Sequence, residues 1–324
     1  MTQLLTEEQR TNFPVEHLSP SSIRKYLENP HGFFKNYVRL EYDDTLSPAL
    51  LEGDAMHRVL AEYYDGLTKA PQHRKQFDHA AAAERILLEV FNPEAIAKTK
   101  FGKTGSLEKS FATVRAAIGF YFAELPEIET VVSVEERFLT DFEDLENEPM
   151  PIPLKGFTDL VTLQVDDYVI RDHKFVASFS IDGDGVIDVQ KFAAYEMQAA
   201  PYFFLTRKRY GKSPTRMVFD EVKKSKNRDG GQQRQEVVVE FEPKMLNRWL
   251  EIYRRVVKSL AGIPLIDPET GVVQFLPNPF AQFAEDSWAD FCEEVDSGRV
   301  WTLDKIREIR SSKFARPEEV EALF

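Results

Sequence analysis

The feature that most constrains this chain is a change in the spacing of its apolar residues near position 131. Before it, apolar side chains recur every three or four residues. After it they alternate, in the closely set runs "VVSVEERFL", "LKGFTDLVTLQ" and "DYVIRDHKF". A period of 3.6 argues for helix and a period of two for a half-buried strand, so the pattern predicts helices followed by a strand meander. The second and third runs meet at Asp166-Asp167, which predicts a hairpin closed by a tight turn.

The same reading extends to both ends. "LSPSSIRKYLENP" offers serines as an N-cap and predicts a short helix starting near Ser21. "LEGDAMHRVLAEYYDGL" places Met56, Val59, Leu60 and Tyr63 on one helical face, and "DHAAAAERILLEVF" and "SFATVRAAIGFYFAEL" predict two more helices. Beyond an acidic, glycine-containing loop, "VIDVQKFAAYEMQAAPYFFLTRKRYG" reads as a helix, or one broken near Pro201. "RMVFDEV" and "EVVVEF" are strand candidates around a turn-rich segment. "PKMLNRWLEIYRRVVKSLAG" then predicts a helix that buries Leu246, Trp249, Leu250, Tyr253, Val257 and Leu260. Helices, meander, helix, strands, helices is the order of an α+β fold with a mixed α/β sheet, and no internal repeat is visible.

Composition removes several classes of function. No apolar run is long enough to span a bilayer, and the start "MTQLLTEEQRTNF" lacks the basic and apolar regions of a signal peptide, so a cytoplasmic protein without membrane association is expected. The one cysteine, Cys292, excludes an internal disulfide or a thiolate metal cage. A formal net charge of −13 argues against indiscriminate nucleic-acid binding, yet residues 207–228 concentrate Arg207, Lys208, Arg209, Lys223, Lys224, Lys226 and Arg228. Such a run is a solvated face or a phosphate track. "GKS" at 211–213 has Thr206 where a phosphate-binding loop needs glycine, so it is no ATPase signature. The "DGDG" segment fails as a calcium loop, because Lys191 falls where a bidentate glutamate is required.

"DHK" at 172–174 is more informative. Asp172 and Lys174 share a strand face, and a hairpin sets Asp159 of "KGFTDLV" on the neighbouring strand, so two carboxylates and an ammonium converge. Paired carboxylates hold a hard divalent cation, and a lysine beside it positions or helps deprotonate a water, or stabilises developing charge. Surface cross-strand ion pairing is the plain alternative. Acid-any-lysine recurs at Glu221-Val222-Lys223 and Glu242-Pro243-Lys244, so the triplet alone decides nothing.

Further residues, in chain order, make the sequence resemble the PD-(D/E)XK nuclease superfamily in its RecB-like exonuclease branch, which includes CRISPR-associated and phage exonucleases. The family's serine-rich helix start followed by proline and an aromatic is matched by "SPSSIRKYLENPHGFF", and its Gly-x-x-x-His by Gly53 and His57. Its strand glutamate corresponds to Glu135, or to Glu136 one register on. Gly-x-x-Asp is "GFTD" with Asp159, Asp-x-Lys is Asp172 and Lys174, and Gln-x-x-x-Tyr is Gln198 and Tyr202, with Gly211 beyond.

The resemblance implies a restriction-endonuclease-like core over 129–242, flanked by helical regions 1–128, which carries the His57 helix, and 243–324. It implies that His57, Asp159, Asp172 and the His173 carbonyl hold Mg2+ or Mn2+, with Glu135 as a further group. Lys174 would act at the attacking water, and Gln198 and Tyr202 would orient Lys174 or the DNA. The activity implied is a metal-dependent DNA exonuclease working on single-stranded or duplex ends in recombination, repair, replication or phage DNA metabolism, alone or with a helicase or recombination partner. An endonuclease and a non-catalytic binding subunit are the alternatives. Many members of the branch hold an iron-sulfur cluster on four cysteines. Here the corresponding positions are Asn29, Ala284, Ser287 and Cys292, so no cluster is expected, and packing by Phe33, Phe34, Phe280, Phe283 and Trp288 is expected to take its place.

Overall fold

The computed structural model describes residues 15–41, 45–70, 72–103, 105–128, 130–141, 150, 152–227, 230–261, 265–267, 272–273 and 284–314. In chain order its main elements are α1 (Pro20–Glu28), α2 (Pro48–Lys69), α3 (His79–Val90), α4 (Leu107–Ala123), β1 (Thr130–Thr140), β2 (Leu154–Gln164) and β3 (Asp167–Val176). Then come α5 (Val189–Tyr210), β4 (Arg216–Lys223), β5 (Arg234–Glu240), α6 (Pro243–Ala261), the short β6 (Leu265–Asp267) and β7 (Val272–Val273), α7 (Ala284–Asp296) and α8 (Leu303–Phe314). The chain divides into two compact units. One comprises Asp43–Phe138 and Gly156–Leu246, the other Met1–Tyr42, Leu139–Lys155 and Asn247–Phe324. Among the described residues no helix is long and apolar enough to cross a membrane.

The first unit is built on a mixed sheet in the order β1-β2-β3-β4-β5. β2 and β3 pair antiparallel, with Gln164 opposite Asp167 and Leu160 opposite Arg171, around the predicted turn. β3 and β4 pair in parallel, Asp172 beside Phe219 and Lys174 beside Glu221, and β5 returns antiparallel to β4. A parallel pair needs a crossover, and α5 supplies it. The sheet is covered on both faces. Met56, Val59, Leu60, Ile86, Leu87, Val114, Ile118 and Tyr121 of α2, α3 and α4 pack with Leu160 and Val222 in one core. Tyr195, Ala199 and Phe203 of α5 pack with Ile170, Met217, Phe219, Val237 and Val239 in the other.

Of the two readings open at Pro201 the unbroken one holds, since α5 runs through it as one helix. The carbonyl deprived of a donor is that of Met197, an exposed residue, while Ala199, Ala200, Phe203 and Leu205 are buried and hold the helix to the sheet. Asp188 caps its start by accepting from the amides of Gln190 and Lys191. Gly211 ends it at φ +75°, donating to the Arg207 carbonyl over 2.8 Å.

In the second unit Ser19 caps α1 in a reciprocal bond with Ser22. Arg39 is buried, stacked 3.9 Å over the Trp301 ring and paired with Glu294 of α7, and Lys35 pairs with Asp290 of the same helix. Phe33 and Phe34 are buried as expected. Phe280 and Phe283 lie outside the described residues, as do the side chains of Ala284, Ser287 and Trp288. Trp249, Leu250, Tyr253, Val257 and Leu260 are buried, and the Tyr253 hydroxyl donates to the Ile152 carbonyl over 2.7 Å.

Candidate metal centre and its carboxylates

The antiparallel register, continued one step past Leu160 and Arg171, sets Asp159 of β2 opposite Asp172 of β3. The Asp159 carboxylate is tied to β3 directly, because the His173 amide donates to its Oδ2 over 2.8 Å. On the other side of that carboxylate stands His57 of α2, with Nδ1 at 3.3 Å from Oδ2. Glu135 of β1 completes the group: one donor atom each from His57, Glu135 and Asp159 lie within 4.8 Å of one another.

Glu135 takes φ +47°, a conformation that L side chains adopt only when their surroundings hold them there. This separates the two adjacent glutamates. Glu136 is claimed by Arg209 at 2.8 Å and by the Tyr210 hydroxyl, while Glu135 joins the His57 group.

Asp172 and Lys174 extend the cluster. The Lys174 ammonium sits 2.5 Å from Asp172 Oδ2, and Gln198 of α5 donates from Nε2 to Asp172 Oδ1 over 2.8 Å. Tyr202, one turn further along α5, lies against Gly156 of the "KGFTD" run. A Cβ at position 156 would meet Leu205 Cδ1 at 2.5 Å and Tyr202 Cε1 at 3.4 Å, so the glycine is what lets α5 approach the strand that carries Asp159.

Electrostatics follow from crowding like charges in a poorly solvated place. Burial, and then the Asp159 charge, push the Glu135 carboxyl up to about 7, with His57 opposing. Glu135 keeps contact with solvent on one side while facing Asp159 on the other. Burial also raises the Asp159 carboxyl, aided by Asp172 and resisted by His57 and Lys174. Around Lys174 burial acts to lower the ammonium, but Asp172 and Asp159 outweigh it and hold the group above its ordinary value. Burial, together with Asp172 and Asp159, raises the Tyr202 phenol, which stays neutral. The site is therefore short of positive charge. An imidazole and two carboxylates that cannot comfortably ionise together are a donor set that fits a hard divalent cation.

His173 has a different setting from its neighbours. Its side chain is buried on the opposite face, stacked on Tyr64 at 5.8 Å and edge-on to Tyr121 at 5.4 Å, and burial pushes its imidazole well below the ordinary value. Its backbone, whose carbonyl is an expected metal donor, runs beside Asp220 of β4.

Among the described residues, the candidate phosphate-binding residues fall into two groups, near the start and at the end of β4. Arg207, Lys208 and Arg209 are exposed in the last turn of α5, Lys208 over the Phe204 ring and Arg209 on Glu136. Lys223 and Lys224 lie at the far end of β4, Lys223 donating to the Ala177 carbonyl and Lys224 paired with Glu52 at 3.2 Å, while Lys226 is exposed just beyond. Arg228 lies outside the described residues.

Sequence reasoning missed the charge layer behind the site. Asp220 has no exposed surface, accepts from Arg171 over 3.2 Å and from Arg234, and Glu236 pairs with both arginines. Its Oδ2 is 3.7 Å from His173 Nδ1. The available signal was two adjacent acids inside the apolar run "RMVFDEV", which a sheet covered on both faces must bury and therefore must pair.

Several solved structures resemble the chain, two of them as follows. A provisionally named exonuclease from Eubacterium rectale matches at 16% identity and TM-score 0.49, over 88% of this chain and 93% of that one. The protein SSO0001 matches at 11% identity and TM-score 0.26, over 73% of this chain and 83% of that one. A search of curated proteins finds no match. The comparison that decides is at family level. The sequence model of the PD-(D/E)XK nucleases matches residues 17–312, nearly the whole length and every strand that carries the cluster, so the chain belongs to the PD-(D/E)XK nuclease superfamily.

Proposed function

We propose that this protein is a divalent-metal-dependent DNA exonuclease that hydrolyses phosphodiester bonds at DNA ends in the cytoplasm. The observation that carries the reading is the convergence of Asp159, Asp172 and Lys174 with His57 and Glu135, in a chain of a nuclease superfamily. His57, Glu135 and Asp159 would hold Mg2+ or Mn2+, with Asp172 and the His173 carbonyl as the adjoining donors. The chemistry such a cation supplies when bound is Lewis acidity toward the phosphodiester and a lowered pKa for an attacking water.

The protein's own residues supply the rest. Lys174 stands beside carboxylates that raise its pKa, and it supplies a hydrogen-bond donor and a positive charge. It orients the water and opposes the negative charge that grows on the phosphate oxygens. Asp172 fixes Lys174 from one oxygen, and Gln198 fixes Asp172 through the other. Tyr202, held neutral, offers a hydroxyl to the DNA backbone. Arg207, Lys208 and the Lys223 to Lys226 segment offer separate phosphate contacts at the two ends of β4. Residues 129–242 carry the chemistry in this reading, with His57 contributed from 1–128. The chain has no ATPase motif, so unwinding of duplex ends would come from a helicase partner.

The test compares wild type with Asp172→Ala on end-labelled linear and on circular single-stranded DNA, in Mg2+, in Mn2+ and in EDTA. Metal-dependent loss of linear DNA that is absent from the variant, with circles spared, is the expected result. Cleavage of circles would replace exonuclease by endonuclease. DNA binding without cleavage in either metal would overturn the catalytic reading.

A further inference from the structure

The triplet Glu221-Val222-Lys223 carries no weight in the sequence, yet Glu221 has a place in the fold that a chance acid does not. It has no exposed surface and stands beside Lys174 in the parallel β3–β4 register. Its carboxylate is surrounded by donors. Oε1 accepts from the Tyr195 hydroxyl over 2.6 Å and from the Ser180 hydroxyl, and Oε2 accepts from the Ser180 amide over 2.7 Å and from Gln235 Nε2 over 2.6 Å. A buried carboxylate is tolerated only with such partners, and it makes their positions rigid in return.

Tyr195 connects this anchor to the reactive cluster. Its ring stacks on Phe219 at 4.1 Å, and the Lys174 ammonium lies 5.9 Å above that same Phe219 ring. Tyr195 and Gln198 are three residues apart on α5, and so share a face. Along that face α5 meets one strand after another: β4 through Tyr195 and Glu221, β3 through Gln198 and Asp172, and β2 through Tyr202 and Leu205 against Gly156. Two points fix the rotation of a helix about its axis better than one. The Tyr195 bond is a polar fixed point one turn before Gln198 and outside the reactive cluster.

We infer that Tyr195 and Glu221 are positioning residues, which set the rotation of α5 so that Gln198 reaches Asp172 and Asp172 in turn holds Lys174. For its kinetic consequence this rests on the nuclease reading above. For its structural consequence it does not. Glu221→Gln would keep most of these bonds, since its amide N–H can turn toward the Tyr195 and Ser180 hydroxyls, which also accept, so Tyr195→Phe is the cleaner perturbation. It removes one hydroxyl and leaves the ring stacked on Phe219.

The experiment has two arms. The side-chain amide signal of Gln198 in a 15N-resolved spectrum, identified by its loss in Gln198→Ala, reads the placement without turnover. Cleavage of end-labelled DNA with Mg2+ by wild type, Tyr195→Phe, Gln198→Ala and the double variant closes a cycle. The expected result is a shifted Gln198 signal in Tyr195→Phe and a kcat about tenfold lower at unchanged KM, with the double variant no slower than Gln198→Ala alone. An unmoved Gln198 signal overturns the inference, as does an equal loss of rate from Tyr195→Phe in both backgrounds. Should the wild type cleave no DNA, the nuclease reading falls, and the Gln198 signal alone decides: movement upholds the positioning role and immobility removes it.

Discussion

Gly156→Ala tests the link between packing and catalysis with the smallest available change. The added methyl would stand 2.5 Å from Leu205 Cδ1, roughly 1 Å short of ordinary carbon contact, and 3.4 Å from Tyr202 Cε1. Leu205 is wholly buried, so it has no open space to turn into, and the displacement must pass to α5. Overpacking of this kind costs about 1–3 kcal/mol, and the absence of relief around Leu205 argues for the upper half of that range. The catalytic cost is larger than the stability cost, because Gln198 and Tyr202 ride on the same helix. A displacement of roughly 1 Å at a reacting centre lowers rate by about a hundredfold. Urea unfolding gives the first quantity, and cleavage of labelled DNA in Mg2+ by the folded variant gives the second. Leu205→Ala in the same chain removes the clashing atom, and is expected to recover much of the rate while stability falls further through the cavity it leaves. A Gly156→Ala protein with wild-type stability and rate would refute the argument that this glycine sets the approach of α5 to β2.

Four other outcomes are expected. Lys174→Met removes the ammonium paired with Asp172 and should lower cleavage by about a thousandfold with DNA binding retained; a loss under tenfold would deny Lys174 its role. Glu135, with its carboxyl pushed up to about 7, is protonated below that pH, so Mn2+ affinity measured by the free-ion EPR signal should rise from about pH 6 to about pH 8, and Glu135→Gln should flatten the rise. The sign for folding is the reverse: a carboxyl raised in the folded state favours folding when protonated, so the metal-free protein should lose stability as pH climbs from the ordinary carboxylate range through about 7. Asp220→Asn leaves Arg171 and Arg234 sharing only the part-exposed Glu236, and should destabilise by about 3 kcal/mol in urea unfolding, where a change below about 1 kcal/mol would show the layer to be dispensable.

The contrast between what the sequence discloses about β3 and about β4 has a physical origin. Asp159, Asp172 and Lys174 are legible because one hairpin brings them together, and a hairpin is a local fact: alternation marks the strands and the acidic pair at 166–167 marks the turn. Asp220 and Glu221 lie on a strand whose partners are set by strand order. The counterions of Asp220 come from Arg171 on β3 and Arg234 on β5, and the donors of Glu221 come from the loop after β3, from α5 and from β5. Only once β4 stands between β3 and β5, with a helical layer on each face, do two adjacent acids both become buried. Alternation cannot reveal this, since it assumes that one face meets water. Pro201 is the same lesson in reverse. The local rule predicts a break, and the apolar contacts of Ala199, Phe203 and Leu205 override it, because a helix held along its buried face can forgo one hydrogen bond at an exposed turn. Charged residues in the middle of an apolar strand are thus better evidence of a doubly covered sheet than of an exposed edge, and in this chain they lie on the strand next to the residues that would carry the chemistry.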